Sequence, residues 1–493
     1  MSSPNTLKVL AIGLDAAEPE LIQKLIDKGS MPCLASLRAE GRWLELKAPA
    51  YIGSGSVWPT FVTGTPPTNH GLYSEWIWRP EKMALERYHG RDLVPFWKQL
   101  DEQGITVGVL DVPFVRPVGL TKGFEVCEWW AHDIILDSVQ CNPQHVEAIL
   151  KENPPHPLSF KRQNSVTPDD AEALRQLTAD STEGIRNRGL LAQRLIDESH
   201  PDLALIIFPE THHAGHQMWH TAAPGNDLYH EQGLFADESL LESVYQAVDQ
   251  QIARLVARAG SETTVMVFAL HGMKAGYGFP GFLAQLLCEL GISRMRNWSS
   301  HSWSERLKSL FAAAKMRTPK SVRSLYYKIA PPSVLQRVAQ PTMLPVYDWN
   351  NTRAFSLPTD QFGWIRINLK GREAGGTVPL DRYAETIDEL ESMLRNLRDQ
   401  KGTPLVQDII RTAANKDEAL QNKIPDLVVH WHDAAFARDL SIAGANFEAG
   451  PVGIRTGQHA LDGFCLIKGS ADLNGRTSIL AEEMGDWIGG MLR

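Results

Sequence analysis

The sequence predicts an α/β fold built on a mainly parallel central sheet, with a helical cap inserted late in the chain. Three observations carry that expectation. Runs such as Leu-Ala-Leu-Ile-Ile-Phe at 203–208 and Thr-Val-Met-Val-Phe-Ala-Leu at 264–270 are too short for helices and lack polar alternation. Parallel strands covered on both faces read this way. These runs alternate with long amphipathic stretches, notably 167–198 and 240–259, the pattern of strand–helix–strand crossovers. Finally, the residues able to do chemistry come directly after the apolar runs, where open α/β sheets bind ligands.

In chain order, an apolar strand at 7–13 is followed by Asp15. Asp15 reads either as a metal ligand or as the cap of the helix that begins near Pro19 and stops at Gly29. A second helix covers 32–40. The Gly/Ser-rich block at 49–71 holds Ser54 and Ser56. A hydroxyl on a tight turn at a helix N-terminus lies near free N–H groups, which favour an anion. Serine alone is a weak nucleophile, and no Ser-His-Asp order surrounds it, so metal activation is the functional reading. A plain Gly/Ser turn is the alternative. A helix at 93–103 and a strand at 106–110 come next.

The stretch from Phe208 to His220 then presents His212, His213, His216 and His220 within nine residues. On a helix His212, His216 and His220 share one face, a spacing that lets imidazoles converge on an ion. A polar loop of exposed histidines is the alternative, since the spacing alone is not diagnostic. Residues 293–340 carry ten Lys/Arg against one acid, Glu305, and read as an inserted basic helical cap on a core of 1–292 and 341–493. A solvated basic face explains that charge most simply. Strand patterns resume at 348–368, followed by a helix at 381–398 and strands at 427–430 and 464–467.

Composition excludes several function classes. The formal net charge of −9 argues against binding a nucleic-acid duplex, and no apolar run reaches the length of a membrane span. Five scattered cysteines without a Cys-x-x-Cys pair exclude a zinc–thiolate site and fit a reducing compartment. With an N-terminus that lacks a signal-peptide pattern, the expected location is the cytoplasm.

Together, four blocks resemble the alkaline phosphatase superfamily, in its type I phosphodiesterase/nucleotide pyrophosphatase branch. They are the first strand with Asp15, Val-Thr-Gly-Thr-Pro-Pro-Thr-Asn-His-Gly at 62–71, Phe-Ala-Leu-His-Gly-Met at 268–273, and Gly-Gln-His-Ala-Leu-Asp-Gly at 457–463. The resemblance implies an alkaline-phosphatase-like sandwich in which two metal ions, usually zinc, flank a Ser or Thr nucleophile. That nucleophile attacks phosphorus or sulfur, and the covalent ester is then hydrolysed. Carried over, Asp15 matches the first carboxylate ligand. Ser54, nine residues before Thr63, matches the nucleophile, with Ser56 as the fallback. His216, His271 and His459 match metal-binding histidines.

Two departures stand out: His212 and Leu270 occupy positions where the family has aspartates. One subsite is then His212, His216 and His459, and the other keeps Asp15, Ser54 and His271. With two carboxylates lost, the repulsion between two divalent cations is poorly offset, so one ion per chain is expected, zinc first, with iron or manganese as alternatives. The expected function is a metal-dependent hydrolase or group transferase acting through Ser54 on a small anionic phosphate- or sulfate-type ester. Two other readings stay open: a non-catalytic anion-binding descendant, and a repurposed mononuclear centre with redox chemistry.

Overall fold

Strand Val9–Leu14 is buried at all six positions and lies at the middle of a nine-stranded sheet. The strand order is Ser478–Leu480, Arg42–Lys47, Asp462–Lys468, Thr264–Ala269, Val9–Leu14, Leu203–Phe208, Val107–Leu110, Gly123–Cys127 and Gln140–Asn142. The five strands from Thr264–Ala269 to Gly123–Cys127 run parallel. Asp462–Lys468 is antiparallel to both neighbours. The apolar runs are explained by what covers them. Leu10, Ile12 and Leu14 join Ile206, Phe208, Val267 and the long helices in one core. On the opposite face Gly13 lies so close to its neighbours that a Cβ would meet Ile207 at 2.5 Å and Trp58 at 3.1 Å.

The computed structural model describes residues 7–90, 92–130, 135–136, 138–159, 166–222, 239–276, 282–296, 344–358, 361–399, 401–432, 440–442, 445–447, 455–469 and 475–493. The chain forms two compact units, one of residues 1–70, 89–276 and 454–493 and one of residues 71–88 and 277–453. The nine-stranded sheet belongs to the first. The second has its own antiparallel sheet, ordered Ala354–Leu357, Gly363–Ile367, Leu427–Trp431 and Val406–Arg411, and its own core with helices Leu283–Glu289 and Tyr383–Arg395. Within it, Asp426 accepts two 2.7 Å bonds from Arg372, and Glu373 accepts from Arg366 and the Trp78 indole. The expected basic cap lies, beyond residue 296, outside the described residues.

Most predicted elements have their counterparts here, with two instructive differences. The first helix, Pro19–Asp27, is capped by Glu18, whose side chain accepts from the Glu20 N–H, so Asp15 is released from that role. Strand Arg42–Lys47 escaped the sequence reading because only two of its six residues are buried, leaving no continuous apolar run.

The helix that delivers the chain to the histidines, Ala171–Ser199, carries a fully buried arginine. Arg188 donates to Asp111 at 2.6 Å, to Glu210 at 2.8 Å and to the Trp130 carbonyl at 2.8 Å. Glu210 opens the histidine-bearing helix Glu210–Met218, so this ion pair fixes where that helix begins. Its carboxyl is buried, yet Arg188 and His156 hold its pKa below the ordinary value. Removing one member of a buried charge network leaves the others uncompensated. Arg188→Met should therefore cost about 3–5 kcal/mol in equilibrium denaturant unfolding; a loss below about 1 kcal/mol would show that the network is not an anchor.

Candidate metal centre

Three neighbouring parallel strands end at one level, and each hands the chain to a residue of the candidate site. Leu14 pairs in register with Phe208, and Gly13 with Phe268. Asp15 follows the first strand, Pro209 and the histidine-bearing helix follow the second, and Leu270 and His271 follow the third. The Asp15 N–H donates to the Phe208 carbonyl at 3.1 Å, and the Thr211 hydroxyl donates to the Asp15 carbonyl at 2.6 Å. A short antiparallel pair, Met273–Ala275 with Gly457–His459, sets His459 opposite Met273.

His212, His216 and His459 come together, each with a ligand atom within 4.8 Å of the others. Nε2 of His212 lies 3.1 Å from Nε2 of His216 and 2.8 Å from Nε2 of His459. The outer nitrogens define the tautomers. His216 Nδ1 faces the Gly457 carbonyl at 2.8 Å, and His212 Nδ1 faces an Asp15 carboxylate oxygen at 2.7 Å. The carbonyl can only accept, so His216 Nδ1 carries its N–H; with Asp15 ionised His212 Nδ1 does the same, and the Nε2 of each directs a lone pair inward. The Gly457 carbonyl gains its close approach because a Cβ at Gly457 would run into the Gly215 backbone.

Two lone pairs 3.1 Å apart need a shared cation. Burial disfavours a proton in that role: it pushes His212 well below its ordinary pKa and His459 to about 3. A divalent metal fits. Nitrogens bound to zinc at about 2.0–2.1 Å in tetrahedral geometry sit roughly 3.3 Å apart, close to the separations found. His213, on the same helix, is buried and also pushed to about 3. It packs edge-on to Trp130 with ring centres 5.5 Å apart.

The other predicted residues differ in placement. His271 has its ring centre 4.9 Å from that of His459 and 5.9 Å from that of His212, and its Nδ1 faces the Gly272 carbonyl at 3.1 Å. It borders the three-nitrogen cluster. Its loop is held by Glu18, which accepts the Met273 N–H at 3.0 Å, and a Cβ on Gly272 would collide with the same carboxylate. His220 turns to Thr456, with Nδ1 3.1 Å from the hydroxyl. It is not part of the cluster, because the helix ends at Met218 and gives way to a 3-10 turn. Leu270 is 1% exposed and brings no ligand.

Ser54 begins the 3-10 turn Ser54–Ser56, which runs into helix Val57–Thr63, and is partly exposed. Ser56 is buried, and its hydroxyl donates to the Gly53 and Pro49 carbonyls at 2.6 and 2.8 Å. That hydroxyl ties the turn together. Sequence reasoning missed Trp58, whose indole N–H donates to Asp15 at 2.8 Å, and Glu18. A tryptophan in an apolar helix reads as core, and no spacing betrays its polar contact.

Comparison with known proteins gives the family and the fold. The model of the family described as type I phosphodiesterase/nucleotide pyrophosphatase matches residues 9–439. Among solved structures, phosphonoacetate hydrolase from Sinorhizobium meliloti 1021 in complex with phosphonoacetate is 14% identical with a TM-score of 0.51. That match covers 100% of this chain and 97% of that chain. Human ectonucleotide pyrophosphatase/phosphodiesterase 5 is 11% identical with a TM-score of 0.49, covering 98% of this chain and 94% of that chain. At such identities the first likeness is one of fold, the alkaline-phosphatase-like arrangement. No curated protein matches the chain. The chain belongs to the type I phosphodiesterase/nucleotide pyrophosphatase family, a family of hydrolytic enzymes.

Proposed function

We propose that the protein cleaves or transfers the acid group of a small phosphate- or sulfate-type ester, using Ser54 as nucleophile beside a centre for one divalent ion. The observation that carries this reading is the inward convergence of the Nε2 atoms of His212, His216 and His459. A bound divalent cation supplies Lewis-acid stabilisation of charge on the ester oxygens and eases ionisation of a serine hydroxyl. Three neutral nitrogens leave coordination positions open for substrate, as catalytic zinc sites require. Zinc suits an all-imidazole set, with iron and manganese as the other candidates.

The remaining steps belong to the chain's own residues. Ser54 Oγ forms the bond to phosphorus or sulfur as the alcohol leaves, and water later cleaves that ester. Ser54 opens the turn that feeds helix Val57–Thr63, whose first-turn N–H groups would donate to developing negative charge. His271, on the border of the cluster, is placed to hold an anionic oxygen or to exchange a proton through its Nε2. The small anionic substrate follows from this chemistry.

Ser54→Ala should lower turnover of aryl phosphate esters by at least about 1,000-fold while shifting the unfolding free energy by less than about 0.5 kcal/mol. Ser56→Ala should do the reverse, costing about 1 kcal/mol of stability through its lost hydrogen bonds and sparing most turnover. If only Ser56→Ala abolished turnover, the assignment of the nucleophile would be wrong.

Acid should also destabilise the metal-free protein in a defined window. His212, His213 and His459 protonate near pH 6.5 when unfolded but are held far lower by burial when folded, the last two at about 3. The unfolded state thus binds more protons between these values. Stability is complete above pH 6.5 and falls as pH drops toward 3, by up to about 1.4 kcal/mol per pH unit for each histidine. Glu18, raised to about 7 by burial, acts oppositely between about 4.5 and 7, and Asp15, also raised by burial, opposes the histidines as well, so both soften the loss. Chemical denaturation across this range checks the slope; a pH-independent stability would contradict it.

A further inference from the structure

The family pattern gives the carboxylate at Asp15 to a second ion, yet in this chain both of its oxygens already face N–H donors. Oδ2 lies 2.7 Å from His212 Nδ1, and Oδ1 accepts the Trp58 indole N–H at 2.8 Å. Asp15 is 2% exposed and Trp58 3%. Trp58 is locked in place by aromatic packing, with ring centres 5.7 Å from Phe61 and 6.2 Å from Phe268. The indole thus presents the positive end of its N–H dipole to the oxygen that a second divalent ion would approach to about 2.0–2.2 Å. Leu270, buried next to His271 in the chain, supplies no replacement ligand.

We propose that Asp15 is a positioning residue rather than a ligand, and that Trp58 is the donor that holds it there. The chain of hydrogen bonds from Trp58 through Asp15 to His212 fixes the tautomer and ring orientation of His212. Its Nε2 then points at the ion, and the carboxylate's charge makes that nitrogen a stronger ligand. One negative charge next to the ligand shell also offsets part of the cation's charge, which three neutral imidazoles do not. Trp58 thereby does two things: it orients the first ion's ligand and fills the approach to a second. This inference rests on the three-histidine reading of the centre.

The test is titration of metal-free protein with Zn2+ and, for its visible spectrum, Co2+, using the full chain, Trp58→Phe and Asp15→Asn. Phenylalanine keeps the aromatic ring and removes only the donor, and asparagine keeps the shape and removes the charge. Both variants should still bind one ion per chain, about 10–100-fold more weakly, with the Co2+ absorption bands displaced. Circular dichroism checks that the metal-free variants fold, and Asp15→Asn carries the test should Trp58→Phe fail to do so. One ion in the wild type with unchanged affinity and spectrum in Asp15→Asn would overturn the relay while leaving the three-histidine centre intact. Two ions in the wild type falling to one in Asp15→Asn would make Asp15 a ligand and also overturn it. No zinc in the wild type would instead defeat the three-histidine reading itself.

Discussion

The candidate site depends on the registration of three parallel strands, Val9–Leu14, Leu203–Phe208 and Thr264–Ala269, whose carboxyl ends are level. Parallel pairing between wholly apolar strands is set by packing on both faces, and a slip of one residue would turn every side chain to the wrong side. Because that register is fixed, Asp15, the helix carrying His212 and His216, and the loop carrying His271 emerge side by side. The fourth contributor, His459, arrives by a different route: a two-stranded ribbon in which it pairs with Met273. Two close backbone approaches, at Gly457 and Gly272, let that ribbon and the loop seat against the site.

Electrostatics explains why such a site holds together. The buried Arg188 is paired with Asp111 and Glu210, at 2.6 and 2.8 Å. Buried histidines are kept neutral by desolvation, which is the state a metal ligand must have. Neutral nitrogens cost less to bury than carboxylates but contribute no charge to balance a cation. A centre with His212 in place of an aspartate and Leu270 in place of another therefore tolerates less positive charge than one that has both aspartates. Glu210 does not make up the difference, since Arg188 already takes its charge. The proposed one-ion stoichiometry rests on this charge argument and on the hydrogen bonding of Asp15.

Much of this was legible in the sequence. The apolar runs identified the central strands because both faces of each are covered, and the histidine spacing at 212 and 216 identified one face of a real helix. Distant members such as His271 and His459 carry no periodic signal, and only the resemblance of their blocks to a family singled them out. What stayed hidden were contacts that no local pattern encodes. Trp58 reads as a core aromatic, and only the folded chain shows its N–H against Asp15. Glu18 reads as an ordinary first-turn acid, yet it caps a helix and also holds the loop after Thr264–Ala269. Strand Arg42–Lys47, with its polar alternation, lacked the apolar run by which its buried neighbours were found.

The central claim is that one divalent ion sits among three inward-facing imidazole nitrogens, with Asp15 behind His212. Anomalous X-ray diffraction from crystals of the zinc-loaded protein, recorded on both sides of the zinc absorption edge, tests it most directly. The account predicts one anomalous peak per chain, at about 2.0–2.1 Å from Nε2 of His212, His216 and His459, with Asp15 still joined to Trp58 and His212. A second peak bonded to Asp15 and His271 would contradict it.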